Sequence, residues 1–142
     1  MKLWLIYALM SAICAAFVSI FGKIGLEKID ANSATAIRAI IMAIFLSAVV
    51  AVQGNFFGMS EIFSNRRALF FIACSGIAGA LSWLFYFLAL KYGEVSQVAP
   101  IDKLSVVFAV ILAIIFFGEK ITFLHGLGIS LIAAGGLILA IF

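Results

Sequence analysis

The chain has 142 residues, of which 67% are hydrophobic and 11% charged, against about 45–50% and about 25% in a typical soluble domain. That composition excludes a water-soluble globule. Nine Lys and Arg against six Asp and Glu leave a net charge of +3 with no polybasic nucleic-acid face, and at ~20 apolar residues per membrane helix the length admits at most about six or seven spans.

The first span is predicted over residues 3–21, ending at Gly22 and Lys23. Its apolar run is longer than the roughly 7–15 residues of a secretory signal core, so it reads as an uncleaved membrane helix. A short polar connection follows with Glu27, Lys28 and Asp30, and Asn32 or Ser33 is the expected helix cap. The second span, 33–52, contains Arg38. The longest connection, 53–67, carries Gly54, Asn55, Gly58, Ser60 and the pair Arg66-Arg67, and its Phe56, Phe57 and Phe63 place part of it on the membrane interface. The third span is 68–90. After Lys91, Gly93 and Glu94 comes the fourth, 96–117, closed by Gly118-Glu119-Lys120. The fifth is 121–142, with Thr122 as a cap. Cys14 and Cys74 fall inside apolar runs without disulfide or metal spacing and read as small packing residues.

Five spans put the two termini on opposite faces. Lys2, Arg66, Arg67 and Lys120 then share one face, and Lys23, Lys28 and Lys91 the other. Because the asymmetry of Lys and Arg fixes orientation, a chain so evenly charged inserts both ways or takes its orientation from a partner. The slight excess favours a cytoplasmic N-terminus. No enzyme constellation is present: His125 is the sole histidine, and there is no G-x-S-x-G, P-loop or H-E-x-x-H. Gly126 and Gly128 read as close-packing sites. Neither cofactor nor metal is expected.

Small and weakly polar residues recur at helical spacing: Ser11, Ala15, Ser19 and Gly22 in the first span; Ser75, Gly79, Ser82 and Tyr86 in the third; Gly126, Ser130 and Ala134 in the fifth. In lipid such stripes let helices approach closely or line a wet cavity. Trp83 and Tyr86 add a stacking surface and hydrogen-bonding groups on which a substrate could rest. Arg38, Asp102 and Lys103 are the informative charges, since an ionisable group inside a span costs about 2.5–3.5 kcal/mol on insertion scales unless paired or hydrated. Arg38 and Asp102 are expected near the starts of spans entering from one face, at similar depth, where they could pair. Asp102 has a second reading. With Pro100 as the first helical residue, Asp102 falls in the first turn of the fourth helix and satisfies free backbone N–H groups there. Arg38 and Lys103 can snorkel through their long stems. Adjacent residues on a helix point about 100° apart, so Asp102 and Lys103 are not expected simply to neutralise each other.

The run Ser82-Trp83, Tyr86-Phe87, Ala89-Leu90, Gly93, Ser96, Val98 to Val106, then Phe117-Gly118-Glu119-Lys120 and Gly135-Gly136, resembles the EamA-type domain of the drug/metabolite transporter superfamily. Lys23-Ile24-Gly25-Leu26 and Ala34-Thr35-Ala36-Ile37-Arg38 are similar to patterns of its small five-helix bacterial and archaeal branch. The resemblance covers nearly the whole chain, as a single five-helix membrane domain over 1–142. Better-known members of the superfamily have ten helices, two five-helix halves in opposite orientation around a central cavity, so the resemblance implies half a transporter completed by a homodimer or by a second five-helix protein. Those relatives carry Pro near the middle of the fourth span, where this chain has Leu104 to Phe108. Four-helix exporters of the superfamily use a first-span glutamate, and this first span has no acid.

The sequence thus reads as an all-α, five-span protein of the inner (plasma) membrane. It moves a small metabolite by alternating access, with Arg38, Asp102, Lys103, Ser82, Trp83 and Tyr86 lining or coupling the site. It contacts lipid and no nucleic acid. The surplus positive charge of Arg38, Asp102 and Lys103 favours an anionic or zwitterionic substrate. A non-transporting accessory subunit and a lipid flippase component are the competing readings.

Overall fold

The computed structural model describes residues 3–54 and 56–141; Met1, Lys2, Asn55 and Phe142 lie outside the described residues, as do the side chains at 56, 57, 59 and 60 and with them the interfacial expectation for Phe56 and Phe57. The described residues are 87% helical, in the order α1 (Leu3–Gly25), α2 (Ala31–Val52), α3 (Phe56–Ser64), α4 (Arg66–Tyr92), α5 (Val95–Asp102), α6 (Ser105–Phe117) and α7 (Phe123–Ile141). Among the described residues, five segments are long and apolar enough to cross a membrane: α1, α2, α4, α5 with α6, and α7. α3 is nine residues, about 13.5 Å at 1.5 Å per residue, under half of a ~30 Å hydrocarbon slab.

The helix boundaries follow from local chemistry. Asp30, not Asn32 or Ser33, caps α2: Ser33 donates to the Asp30 carboxylate from its backbone N–H at 2.9 Å and its hydroxyl at 3.1 Å. Ser33 stands at the third helical position, where the backbone donor is free and wants an acceptor three residues back. The Ser33 backbone N–H, then its hydroxyl, then the charge of Lys91 hold the Asp30 carboxyl below its ordinary value. A lowered carboxyl stabilises the fold above its unfolded-state value, and that contribution is lost as the pH falls through the folded-state value. Asp30→Ala is therefore expected to lower the melting temperature at neutral pH, and the gap to the native protein should close on acidification; thermal melts in detergent at a series of pH values check this.

Asn65 accepts from the Ala68 N–H at 3.1 Å and starts α4 two residues earlier than expected, so Arg66 and Arg67 lie in its first turn. Gly118 closes α6 in the left-handed conformation, φ 64°, a backbone state that glycine adopts without a Cβ clash. Thr122 caps α7 as expected, its hydroxyl 3.4 Å from the His125 N–H and 2.9 Å from the His125 ring nitrogen Nδ1.

By internal contacts the chain forms two compact units, Met1–Lys23 with Tyr92–Phe142, and Ile24–Lys91. In the first, α7 packs against α5 and α6, and the Lys23 ammonium donates to the Gly93 carbonyl at 2.7 Å, tying the end of α1 to the turn before α5. In the second, the buried apolar residues among those described are Leu26, in the turn after α1, Ala31 at the start of α2, and Phe87 and Leu90 near the end of α4. Most large apolar side chains elsewhere are exposed on the helices, the surface that lipid covers in a membrane protein. Cys14 and Cys74 are free and exposed, so they sit on helix surfaces and are not packed inside the chain.

The small-residue stripes of α4 and α7 behave differently from a close-packing seam, whereas Ser19 of the α1 stripe is buried. A Cβ added at Gly76, Gly79, Gly126, Gly128 or Gly135 meets open space, so the expected close packing at Gly126 and Gly128 is not found against this chain. Hydroxyls in the spans bond back to carbonyls one turn earlier, Thr35 to Ala31 at 2.7 Å and Ser130 to Gly126 at 2.9 Å, which satisfies them without a second helix.

Candidate functional site

The fourth span is broken, which the sequence reading did not foresee. α5 ends at Asp102, Lys103 and Leu104 form a turn, and α6 restarts at Ser105. Three-residue hydrogen bonds bridge the break: Lys103 N–H to Pro100 O at 3.1 Å, Leu104 N–H to Ile101 O at 2.9 Å and Val106 N–H to Lys103 O at 3.1 Å. Pro100 lies inside α5 as its sixth residue, counted from Val95. Having no N–H, it cannot bond the carbonyl one turn back, and the chain tightens into 3₁₀-like geometry just beyond it. Helices here begin earlier than proline statistics at a first turn imply, because Glu94, whose carbonyl accepts from Gln97 and Val98, already starts α5.

Asp102 is accordingly not a first-turn cap. It stands at the C-terminal end of α5, where the helix dipole disfavours a carboxylate. Its counter-charge is Lys103, whose ammonium lies 3.1 Å from the Asp102 carboxylate. The expectation that these neighbours do not neutralise one another is overturned: the flexible four-carbon lysine stem curls back over the turn, reaching what the 100° spacing of α-carbons alone does not. Lys103 is also the C-cap of α5, so its charge meets the negative end of that helix favourably.

The break is held from behind by α7. Gly136 is buried, and a Cβ there would stand 3.0 Å from the Pro100 carbonyl oxygen and 3.7 Å from the Leu104 side chain. Hydrogen at this position is what lets α7 lie against the carbonyl that accepts the Lys103 N–H.

The second cluster lies in the other unit. Arg38 is the eighth residue of α2 counted from Ala31, about 10 Å along the helix. Its guanidinium carbon lies 3.7 Å from the ring centre of Trp83 and 5.2 Å from that of Phe87. Trp83 meets Tyr86 edge-on at 5.6 Å and Phe87 at 6.0 Å, and Tyr86 meets Phe87 at 6.3 Å. Ser82 is exposed, one residue before Trp83. Within its own unit, among the described residues, the guanidinium has ring partners but no carboxylate or hydrogen-bond acceptor. Arg38 and Asp102 belong to different units, and each has its own partner there. Phe87 escaped the sequence reading, though its place four residues after Trp83 puts both rings on one helix face.

A membrane chain with a discontinuous fourth helix, an ion pair at the break and an arginine stacked among aromatic rings is a multi-pass protein of transporter type. The EamA-like transporter family matches residues 2–141, and the chain belongs to that family. A protein of Sinorhizobium sp., described as an uncharacterized transporter in the cobO 3′ region, is 43% identical over 139 residues, covering 98% of this chain and 97% of its own length. No solved structure matches the chain.

Proposed function

We propose that the protein is one half of a small-metabolite transporter of the plasma membrane, joined to a second copy in opposite orientation, or to a second five-helix chain, and working by alternating access. The relative from Sinorhizobium sp. described as a transporter matches end to end, which supports a working unit of this length. The observation that carries the reading is the break at Lys103 and Leu104 inside the fourth span. Lys103 and Leu104 keep right-handed backbone angles and three-residue hydrogen bonds, and a 3₁₀ stretch in the middle of a helix often marks a functional hinge. An odd number of spans and a nearly even charge distribution support the inverted pairing, with a cytoplasmic N-terminus in the favoured orientation.

Purified protein in liposomes is expected to take up a labelled metabolite without any other component. An accessory subunit gives no uptake alone, and a flippase moves a labelled lipid instead. C-terminal reporter fusions are expected to show both orientations, or one orientation that reverses when two or three lysines are added to one face; uniform orientation through those changes, with a parallel dimer on cross-linking, overturns the inverted pairing.

A further inference from the structure

We infer that Arg38, seated on Trp83 and Phe87, is a receptor for a planar carboxylate carried on an apolar or aromatic body. This deepens the transport reading, on which its physiological meaning rests, although binding itself can be measured without transport. An arginine about 10 Å into a membrane helix carries an insertion cost that its surroundings have to offset. A cation–π stack is favourable, and more so when desolvated, so the rings at 3.7 and 5.2 Å offset part of that cost. They also dictate which part of the group is used. Rings close to the guanidinium carbon occupy the face of the cation, whereas its five N–H donors radiate in the plane of the group. Within the unit those donors have no acceptor among the described residues.

The open requirement is therefore for an acceptor in the guanidinium plane. The group that matches two parallel N–H donors with two oxygens is a carboxylate, held bidentate. Trp83, Tyr86 and Phe87 meet one another edge-on; Phe87 is buried behind them, and the half-buried Trp83 and Tyr86 offer a stacking wall for the body that carries it. A plain organic cation is repelled by Arg38, and a neutral ring lacks the oxygens to satisfy it.

Trp83 reports on the site directly, because the other tryptophan, Trp4, is 63% exposed on α1 and is removed as Trp4→Phe. In nanodiscs of phosphatidylcholine, benzoate is expected to shift Trp83 emission saturably, while benzamidine and benzyl alcohol do not. Arg38→Gln should abolish the saturable response, and Arg38→Lys should weaken it about tenfold, since the ammonium keeps the charge and loses the planar fork. Equal responses to benzoate and benzyl alcohol, no response to benzoate, or a response to phosphatidylglycerol or inorganic phosphate in place of benzoate overturns the receptor. The comparison of the three ring compounds needs only the Trp4→Phe protein, so the outcome stands even where Arg38→Gln fails to fold. Benzoate binding without metabolite flux counts against the transport reading alone; flux without a benzoate response counts against the receptor alone.

Discussion

Lys103→Met is expected to abolish uptake while leaving most of the protein folded. The substitution keeps the length and apolar stem of the lysine and removes its charge, so the Asp102 carboxylate at the end of α5 loses the counter-ion held 3.1 Å away. It then faces the negative end of its own helix without a counter-charge. Removing one member of a buried pair costs about 3–5 kcal/mol because the other charge is left behind; here Lys103 is 56% and Asp102 34% exposed, so the stability cost is smaller and the effect falls on the electrostatics of the break. Lys103→Arg should retain uptake in part. Asp102→Asn and Asp102→Ser would be tolerated if the carboxylate capped a helix start, but at a helix C-terminus beside a lysine they leave the ammonium unpaired and should lower the initial rate roughly tenfold, equivalent to about 1.4 kcal/mol. Vesicle uptake across the four variants, normalised to folded protein, is the measurement. Full activity in Lys103→Met would leave the break without a functional role.

Two adjacent glycines should respond in opposite directions. Gly136→Ala puts a Cβ 3.0 Å from the Pro100 carbonyl oxygen, and because the obstacle is backbone rather than the end of a flexible side chain, α7 has to move away from α5. Overpacking of this kind costs about 1–3 kcal/mol, and Gly136→Val more. Gly135→Ala meets open space and gains up to about 1 kcal/mol from the better helix former. The melting temperature in detergent should fall by several degrees for Gly136→Ala and hold or rise for Gly135→Ala. Uptake by Gly136→Ala should fall further than stability alone accounts for, since the displaced contact is the one behind the Lys103 turn. Equal behaviour of the two variants would mean that α7 does not clamp the break.

Span number and approximate limits were legible because charge is excluded from the hydrocarbon core whatever the packing: the connections around Glu27 to Asp30, Gly54 to Asn65, Gly93-Glu94 and Gly118 to Lys120 separate the membrane-long helices in the sequence and in the structure alike, although the second of them holds the short α3 and the structure gives Arg66 and Arg67 to α4. Thr122 was readable as a cap for a similar reason, since the bond is made within one turn. Asp30 was missed because two other polar residues follow it, and only the geometry of the turn selects among three adjacent candidates.

The charged residues of the spans show where local reasoning stops. Sequence alone determined that Arg38, Asp102 and Lys103 each need a compensating environment, because the cost of a charge in lipid is a property of the residue and its depth. It did not determine the partners. Whether Arg38 meets a carboxylate or a ring depends on which residues of α4 the fold brings alongside α2, and the structure brings Trp83 and Phe87. The role of Asp102 turned on one proline: Pro100 reads equally as the start of a helix or as an interruption within one, and contact of its carbonyl with Gly136, 36 positions later in the chain, belongs to the arrangement in which it interrupts. Hydrophobic partition acts residue by residue and is written into the sequence; the close approach of backbone to backbone that fixes the break is a tertiary contact between distant segments, and packing alone decided it.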